Sequence, residues 1–249
     1  MKVSVITVCL NSQKTIENTI KSVITQDYKN YEYIVVDGKS SDQTIEIVKK
    51  YKKYISRLII EKDKGIYDAI NKGIEKTSGK IICILHSNDS FFDKKVLSEV
   101  VSQFRKNNLG ILLGDTIIHK KNCPNKTFRY YSSSYFRPWM LYFGFSPPHP
   151  STFVSKSTYA SYGLYNNKYK IAGDFEFFVR TMLKYRVCYK TIKKVLVKMS
   201  PGGTSNKNFK SYFVSTNELV NSLKINGFFS SYFLTLFRIP IKILQLILK

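Results

Sequence analysis

Between Val3 and Leu85, four short β-branched or apolar runs alternate with amphipathic segments, an order that few architectures accept. Residues 3–8 read as a buried strand, and Ile16, Ile20, Val23 and Ile24 then recur at helical spacing after the polar pair Asn11-Ser12. A second strand, 31–36, ends in Asp37-Gly38, and Asp42 then caps a helix carrying Ile45, Val48 and Tyr51. A third strand, 57–60, precedes a helix over 66–76 that closes at Gly79; a fourth, 80–85, is continuously apolar from Ile81 onward, as an inner parallel strand should be. This β-α-β-α-β-α-β order predicts an α/β fold in which a mostly parallel sheet is covered by helices on both faces through right-handed crossovers. Ligands of such sheets lie outside the carboxyl ends of the strands. Three of the four loops at that edge carry a carboxylate, at Asp37, Asp63 and Asp89.

Beyond a helix at 94–106 and a strand at 111–118, the pattern loosens into an aromatic, proline-containing stretch over 130–150. Helices at 155–162 and 174–184 and a strand at 195–199 follow. Three parts are expected: an α/β part over 1–118, a looser part of the same domain over 119–210, and a helical tail over 211–249. In that tail the longest uncharged run, Ile225 to Phe237, has 13 residues. Spanning a bilayer takes roughly 18 to 20 apolar residues. The expectation is an amphipathic interfacial helix with Phe229, Phe233, Leu236, Phe237, Ile241, Leu244 and Leu248 toward lipid; the alternative is a helix docked on the protein's own core.

The 40 Lys+Arg against 17 Asp+Glu give a net charge of +23, unevenly distributed. Residues 1–118 carry +5, residues 119–210 carry +15 and residues 211–249 carry +3. The excess points to an anionic partner: nucleic acid, an acidic membrane surface or a phosphate-bearing substrate. A lysine-rich solvated surface is the plainer account. With 43% hydrophobic residues, disorder is excluded. The four cysteines, at 9, 83, 123 and 188, show no metal-ligand or redox spacing, which fits a reducing compartment. Met1-Lys2 runs straight into a short apolar stretch with no cleavage site, so a cytoplasmic location is expected.

Neither a Gly-x-Gly-x-x-Gly turn after the first strand nor a P-loop is present, which removes most dinucleotide oxidoreductases and P-loop enzymes. Asp37 stands where α/β nucleotide folds hydrogen-bond a ribose or base, and with Asp42 as the cap it is left for a ligand. Ser87-Asn88-Asp89 directly after an apolar strand suits a hard divalent cation shared with substrate phosphates, or else a turn. Asp174, at a helix start amid aromatics, is a candidate general base or an N-cap. His149-Pro150-Ser151-Thr152 is a similar polar knot, its lone histidine more often structural.

Seven ordered motifs resemble glycosyltransferase family 2, of the bacterial surface-polysaccharide type. They are Val3 to Ser12, Ser22-Val23-Ile24-Thr25-Gln26, Ile34 to Thr44, Asp63 to Gly73, Leu85 to Asp89, His149 to Phe153 and Ala172 to Phe177. The resemblance covers about residues 3 to 205 and implies the GT-A fold, Rossmann-like, with an inverting single displacement from a nucleoside-diphosphate donor, a UDP sugar being expected. It assigns Thr7, Asn11, Asp37, Asp68 and Asn88 to the nucleotide sugar, Asp89 to a divalent cation (Mn²⁺ or Mg²⁺) and Asp174 to the catalytic base. Asn88 stands where many relatives have Asp, leaving one charged metal ligand. Gly202-Gly203-Thr204-Ser205 resembles a loop that closes over the site. The expected acceptor is a polyprenyl-diphosphate-linked saccharide of capsule, O-antigen or lipopolysaccharide synthesis, met at the inner face of the cell membrane by a peripheral protein. Two rivals fit less well. A nucleic-acid-binding protein lacks a recognisable module and basic-aromatic interleaving. A nucleotidyltransferase lacks a Gly-rich, Arg-containing loop after the first strand.

Overall fold

The computed structural model describes residues 1–120, 123–200 and 209–238. Nine strands form one sheet in the order β3-β2-β1-β4-β8-β6-β9-β5, with β7 on β6. The first four, β1 (Val3–Cys9), β2 (Tyr31–Asp37), β3 (Arg57–Ile60) and β4 (Ile81–Ile84), are the predicted alternating runs. They pair in parallel, with Cys9 opposite Asp37, Asp37 opposite Ile60 and Ile6 opposite Ile84. That register brings the loops after all four strands to one edge.

Strand parity sorts the side chains into two layers. Ile6, Val8, Ile34, Val36, Ile82 and Ile84 pack on one face against α3 (Ile66–Glu75). Val3, Val5, Tyr33, Val35, Ile81 and Cys83 pack on the other against α1 (Ile16–Ile24) and α4 (Val96–Lys106). This is the two-residue period of a strand buried on both faces. α2 (Thr44–Lys50) follows β2, and Asp42 accepts from the Thr44 N–H at its start, at 3.0 Å.

Past β4 the sheet becomes mixed. β5 (Asp89–Phe91) runs antiparallel to β9 (Tyr189–Met199), while β8 (Thr152–Ser155) runs antiparallel to β4 and to β6 (Ile111–Lys120). β7 (Cys123–Tyr131) forms a hairpin with β6, and β9 is parallel to β6. Three of these, β5, β7 and β8, were not expected; β5 and β8 have only three and four residues, too short for alternation to declare itself. The helices here are α5 (Lys156–Tyr162), α6 (Gly173–Phe178, continued by a π-helical turn to Lys184), α7 (Phe209–Ile225) and α8 (Tyr232–Leu236). Among the described residues no helix is long and apolar enough to cross a membrane. Phe229 and Phe233 are 74% and 72% exposed, whereas Ile241, Leu244 and Leu248 of the predicted lipid face, like residues 202–205, lie outside the described residues.

Candidate active site

A cleft of about 580 Å³ opens at the carboxyl edge of β1 and β4. Its floor begins with Val8, Cys9, Leu10 and Ser12, and the loops around it are held by one another. Asn11 adopts φ +50°, a left-handed conformation asparagine tolerates better than most residues, and its Oδ1 accepts from the Ser41 N–H at 2.9 Å. Asp37 is fully buried. Its carboxylate accepts from the Ser40 N–H (2.7 Å), the Ser40 hydroxyl (2.6 Å) and the Cys9 thiol (3.3 Å). Three of its roughly four acceptor positions therefore serve its own loop rather than standing open.

Thr7 shares the parity of Val5 and Cys9, so its side chain enters the α1/α4 layer, where its hydroxyl accepts from the Tyr33 hydroxyl at 3.0 Å. Asp68 turns back on its own loop, accepting from the Lys64 N–H at 3.0 Å and pairing with Lys72 at 3.3 Å; these contacts hold its pKa below the usual carboxylate range. Neither side chain lines the cleft, whereas Asn88, Asp89 and Asp174 all do. From the segment around Asp68 it is Asp63, Gly65, Ile66 and Tyr67 that face it.

Asp89 is in a different state from Asp37. It is 1% exposed, and among the described residues neither carboxylate oxygen has a hydrogen-bond partner. Burial alone pushes its pKa up to about 8. The backbone around it is fixed: the Asp89 N–H donates to the His86 carbonyl at 2.9 Å, and its own carbonyl accepts from the Thr19 hydroxyl of α1 at 2.6 Å. A rigid, buried carboxylate without such a partner is costly unless something cationic meets it. No group of three His, Cys, Asp or Glu side chains gathers here among the described residues. Mg²⁺ and Mn²⁺ sites of one or two carboxylates completed by substrate phosphates and water need no such group, so Asp89 beside Asn88 fits a divalent cation.

Asp174, at the start of α6, lines the same cleft. Its Oδ1 accepts from the Phe175 N–H at 2.9 Å and lies 3.3 Å from the Tyr67 hydroxyl, whose nearer partner is the Ile171 carbonyl at 2.7 Å. Burial raises its pKa, which improves a carboxylate as a proton acceptor. Tyr67 reaches this position because residue 173 is glycine: a Cβ there would meet the Tyr67 ring at 2.8 Å.

Residues distant in sequence support this wall. Tyr67 stacks on Tyr165 at 5.8 Å, Tyr165 shares a 2.8 Å hydrogen bond with His149 Nε2, and the His149 ring lies 5.7 Å from that of His86. Burial brings both histidine pKa values down to about 4, so they are neutral at physiological pH. His149, expected as a structural knot, both bonds Tyr165 and lines the cleft. From α7, Glu218 accepts the backbone N–H groups of Lys170, Ile171 and Ala172 at 2.7 to 2.9 Å, which anchors the segment leading into Asp174. One signal was present: an acidic residue in a chain region with almost none.

The profile of glycosyl transferase family 2 matches residues 4–161. A PGL/p-HBAD biosynthesis glycosyltransferase of Mycobacterium bovis is 28% identical over 181 residues, covering 71% of this chain and 68% of its own. The poly-beta-1,6-N-acetyl-D-glucosamine synthase of Staphylococcus epidermidis is 29% identical over 123 residues, 48% of this chain and 30% of its own. Among solved structures, residues 1–349 of S. aureus TarS, crystallised with UDP-GlcNAc, superpose with a TM-score of 0.71 at 18% identity, covering 90% of this chain and 66% of that one. The mannosyltransferase PcManGT of Pyrobaculum calidifontis, in complex with GDP-Man and Mn²⁺, gives 0.66 at 16% identity, covering 90% and 63%. This chain thus spans about two thirds of those crystallised proteins and shares their fold, and by the family match over most of its length it belongs to glycosyltransferase family 2.

Proposed function

We propose that the chain is an inverting glycosyltransferase that moves a sugar from a nucleoside-diphosphate donor, a UDP sugar by preference, to a hydroxyl of a lipid-linked saccharide in surface-polysaccharide synthesis. The observation that carries this reading is the pairing, across one cleft, of an orphaned buried carboxylate with a second carboxylate whose pKa burial raises. A divalent cation held by Asp89, with Asn88 beside it, would supply charge neutralisation for a departing diphosphate. Asp174 takes the proton of the acceptor hydroxyl as that oxygen bonds to the anomeric carbon; the bond from that carbon to the diphosphate oxygen breaks on the opposite face, and the configuration inverts. Tyr67 and the Glu218 clamp hold Asp174 in place, and the neutral His86 and His149 add no positive charge beside it. UDP-GlcNAc and GDP-Man in the structural neighbours support a nucleotide sugar as donor. The +15 of residues 119–210 and the exposed Phe229 and Phe233 support work at an anionic membrane surface, on its cytoplasmic side.

A thermal-shift screen of UDP and GDP with and without Mn²⁺ tests the donor site, since a ligand of the native state stabilises it by mass action. UDP with Mn²⁺ should give the largest rise; no rise with either nucleotide would overturn the assignment. Asp174→Asn should keep that rise and lower transfer by about 10²–10⁴-fold.

A further inference from the structure

Behind Asp174, on the side away from the donor loops, lies a second cavity of about 140 Å³ lined by Arg129, Tyr131, Ser146, Asp174, Ser215 and Arg238 among others. At about 30 Å³ for each water, it holds roughly five, which is room for a phosphoryl group. Asp174 lines both this cavity and the cleft, so the two spaces meet at the proposed base.

Arg238 is the unusual member. It is 4% exposed, yet among the described residues no carboxylate lies within ion-pair distance of it, and its Nε has no hydrogen-bond partner. Its Nη2 donates to the Thr216 hydroxyl at 2.7 Å and the guanidinium lies 4.9 Å over the Tyr212 ring. Gly144, at φ +73°, makes space for its stem: a Cβ there would stand 3.2 Å from Arg238 Cδ. Buried cations are normally paired, and a guanidinium is always charged and suited to phosphate. Arg129, over the Tyr131 ring at 5.1 Å, brings a second guanidinium to the same cavity.

Next in sequence to two residues of the cavity wall, Gly144 and Arg238, Phe143 and Phe237 belong to a row of aromatic side chains. Trp139 and Phe143 pack edge to face at 5.9 Å, Phe143 meets Phe237 at 6.2 Å, and Phe237 meets Phe233 at 5.3 Å. Trp139, Phe233 and Phe237 are all exposed. A row of aromatics leading away from a buried cationic pocket matches an amphiphile: an anionic head inside and a hydrocarbon chain along the row.

We propose that this cavity seats the phosphoryl group of an amphiphilic acceptor, gripped by Arg238 and Arg129, with its apolar chain leaving along Trp139, Phe143, Phe237 and Phe233. It rests on the glycosyltransferase reading only in calling the bound molecule the acceptor. Trp139 is the only tryptophan in the chain and reports directly. Farnesyl diphosphate, titrated below its micellar concentration, should change Trp139 fluorescence saturably. Farnesol and inorganic pyrophosphate should each bind about ten-fold or more weakly, because each lacks one half of the contact. Arg238→Gln should weaken farnesyl diphosphate binding by about ten-fold or more while its thermal stabilisation by UDP persists, which shows a folded protein. Arg129→Gln gives an independent variant should the Arg238 substitution not fold. Equal binding of farnesol, equal binding of pyrophosphate, or unchanged affinity in a folded variant would each overturn the proposal. If UDP fails to stabilise the wild type while farnesyl diphosphate still binds through Arg238, the donor reading falls and the cavity assignment stands.

Discussion

Asp37 and Asp89 both sit at the carboxyl edge of the sheet and both are buried, the first expected to meet the donor and the second a divalent cation, yet their surroundings are opposite. Asp37 spends its oxygens on Ser40 and Cys9, tying its own loop together. Asp89 spends none, although the backbone around it is clamped by Thr19 and His86. A satisfied carboxylate lends shape to a site and its removal costs stability; an orphaned one costs stability while it remains and repays only when a cation arrives.

The largest break in this comparison is Asp89→Asn. Losing the charged ligand should lower Mn²⁺-dependent transfer by several kcal/mol of barrier, on the order of 10³-fold, and remove the Mn²⁺ increment in UDP stabilisation. Without metal and at alkaline pH the same variant should melt at a higher temperature than the wild type. An unaltered Mn²⁺ increment would mean that the cation sits elsewhere.

The next effect follows pH. In the unfolded chain Asp89 ionises at the ordinary aspartate value of 3.8, in the folded protein at about 8. Between those values the folded state holds a proton that the unfolded state has lost, so this residue's penalty is absent below the lower value, grows as pH rises and is complete above the upper one. The melting difference between Asp89→Asn and wild type should widen across that window. Mn²⁺ must displace the same proton, so its stabilisation with UDP should grow from about pH 6 to 8.5. A flat profile in both measurements would mean that Asp89 is already ionised in the folded state.

What the sequence disclosed of this site, and what it hid, follows from range. The parallel half was legible because βαβ order and apolar runs are local, and the motif resemblance picked out Asp89 and Asp174 in the walls of one cleft. Hydrogen-bond saturation is not local. Ser40 is only three positions from Asp37, but the Cys9 contact, and the lack of any partner for Asp89 among the described residues, depend on other segments. The Tyr67–Tyr165–His149 wall joins residues about a hundred positions apart, and the Glu218 clamp reaches back from α7 by 46 to 48 positions. Short strands such as β5 and β8 exist only because neighbours supply their hydrogen bonds. The inward face of Thr7 was available in principle from its parity with Val5 and Cys9; the motif match outweighed it.

Asp37→Asn is the converse of Asp89→Asn and a smaller effect. Its new amide group would face the Ser40 N–H, the Ser40 hydroxyl or the Cys9 thiol, donor against donor. A stability loss of about 1–3 kcal/mol is expected, with UDP affinity falling by about ten-fold or less as the loop loosens. Equal and same-signed stability changes for the two substitutions would erase the distinction between them.

Thr7→Val should do least to the donor site. The side chain keeps its volume and its place in the α1/α4 layer, while the buried Tyr33 hydroxyl loses its 3.0 Å acceptor, a cost of about 1–3 kcal/mol in stability. Because the hydroxyl points away from the cleft, UDP affinity should stay within about two-fold of wild type, the additivity error of independent sites. A ten-fold loss of UDP affinity without a change in melting temperature would place the Thr7 hydroxyl on the nucleotide and require β1 to turn that side chain outward when the donor binds.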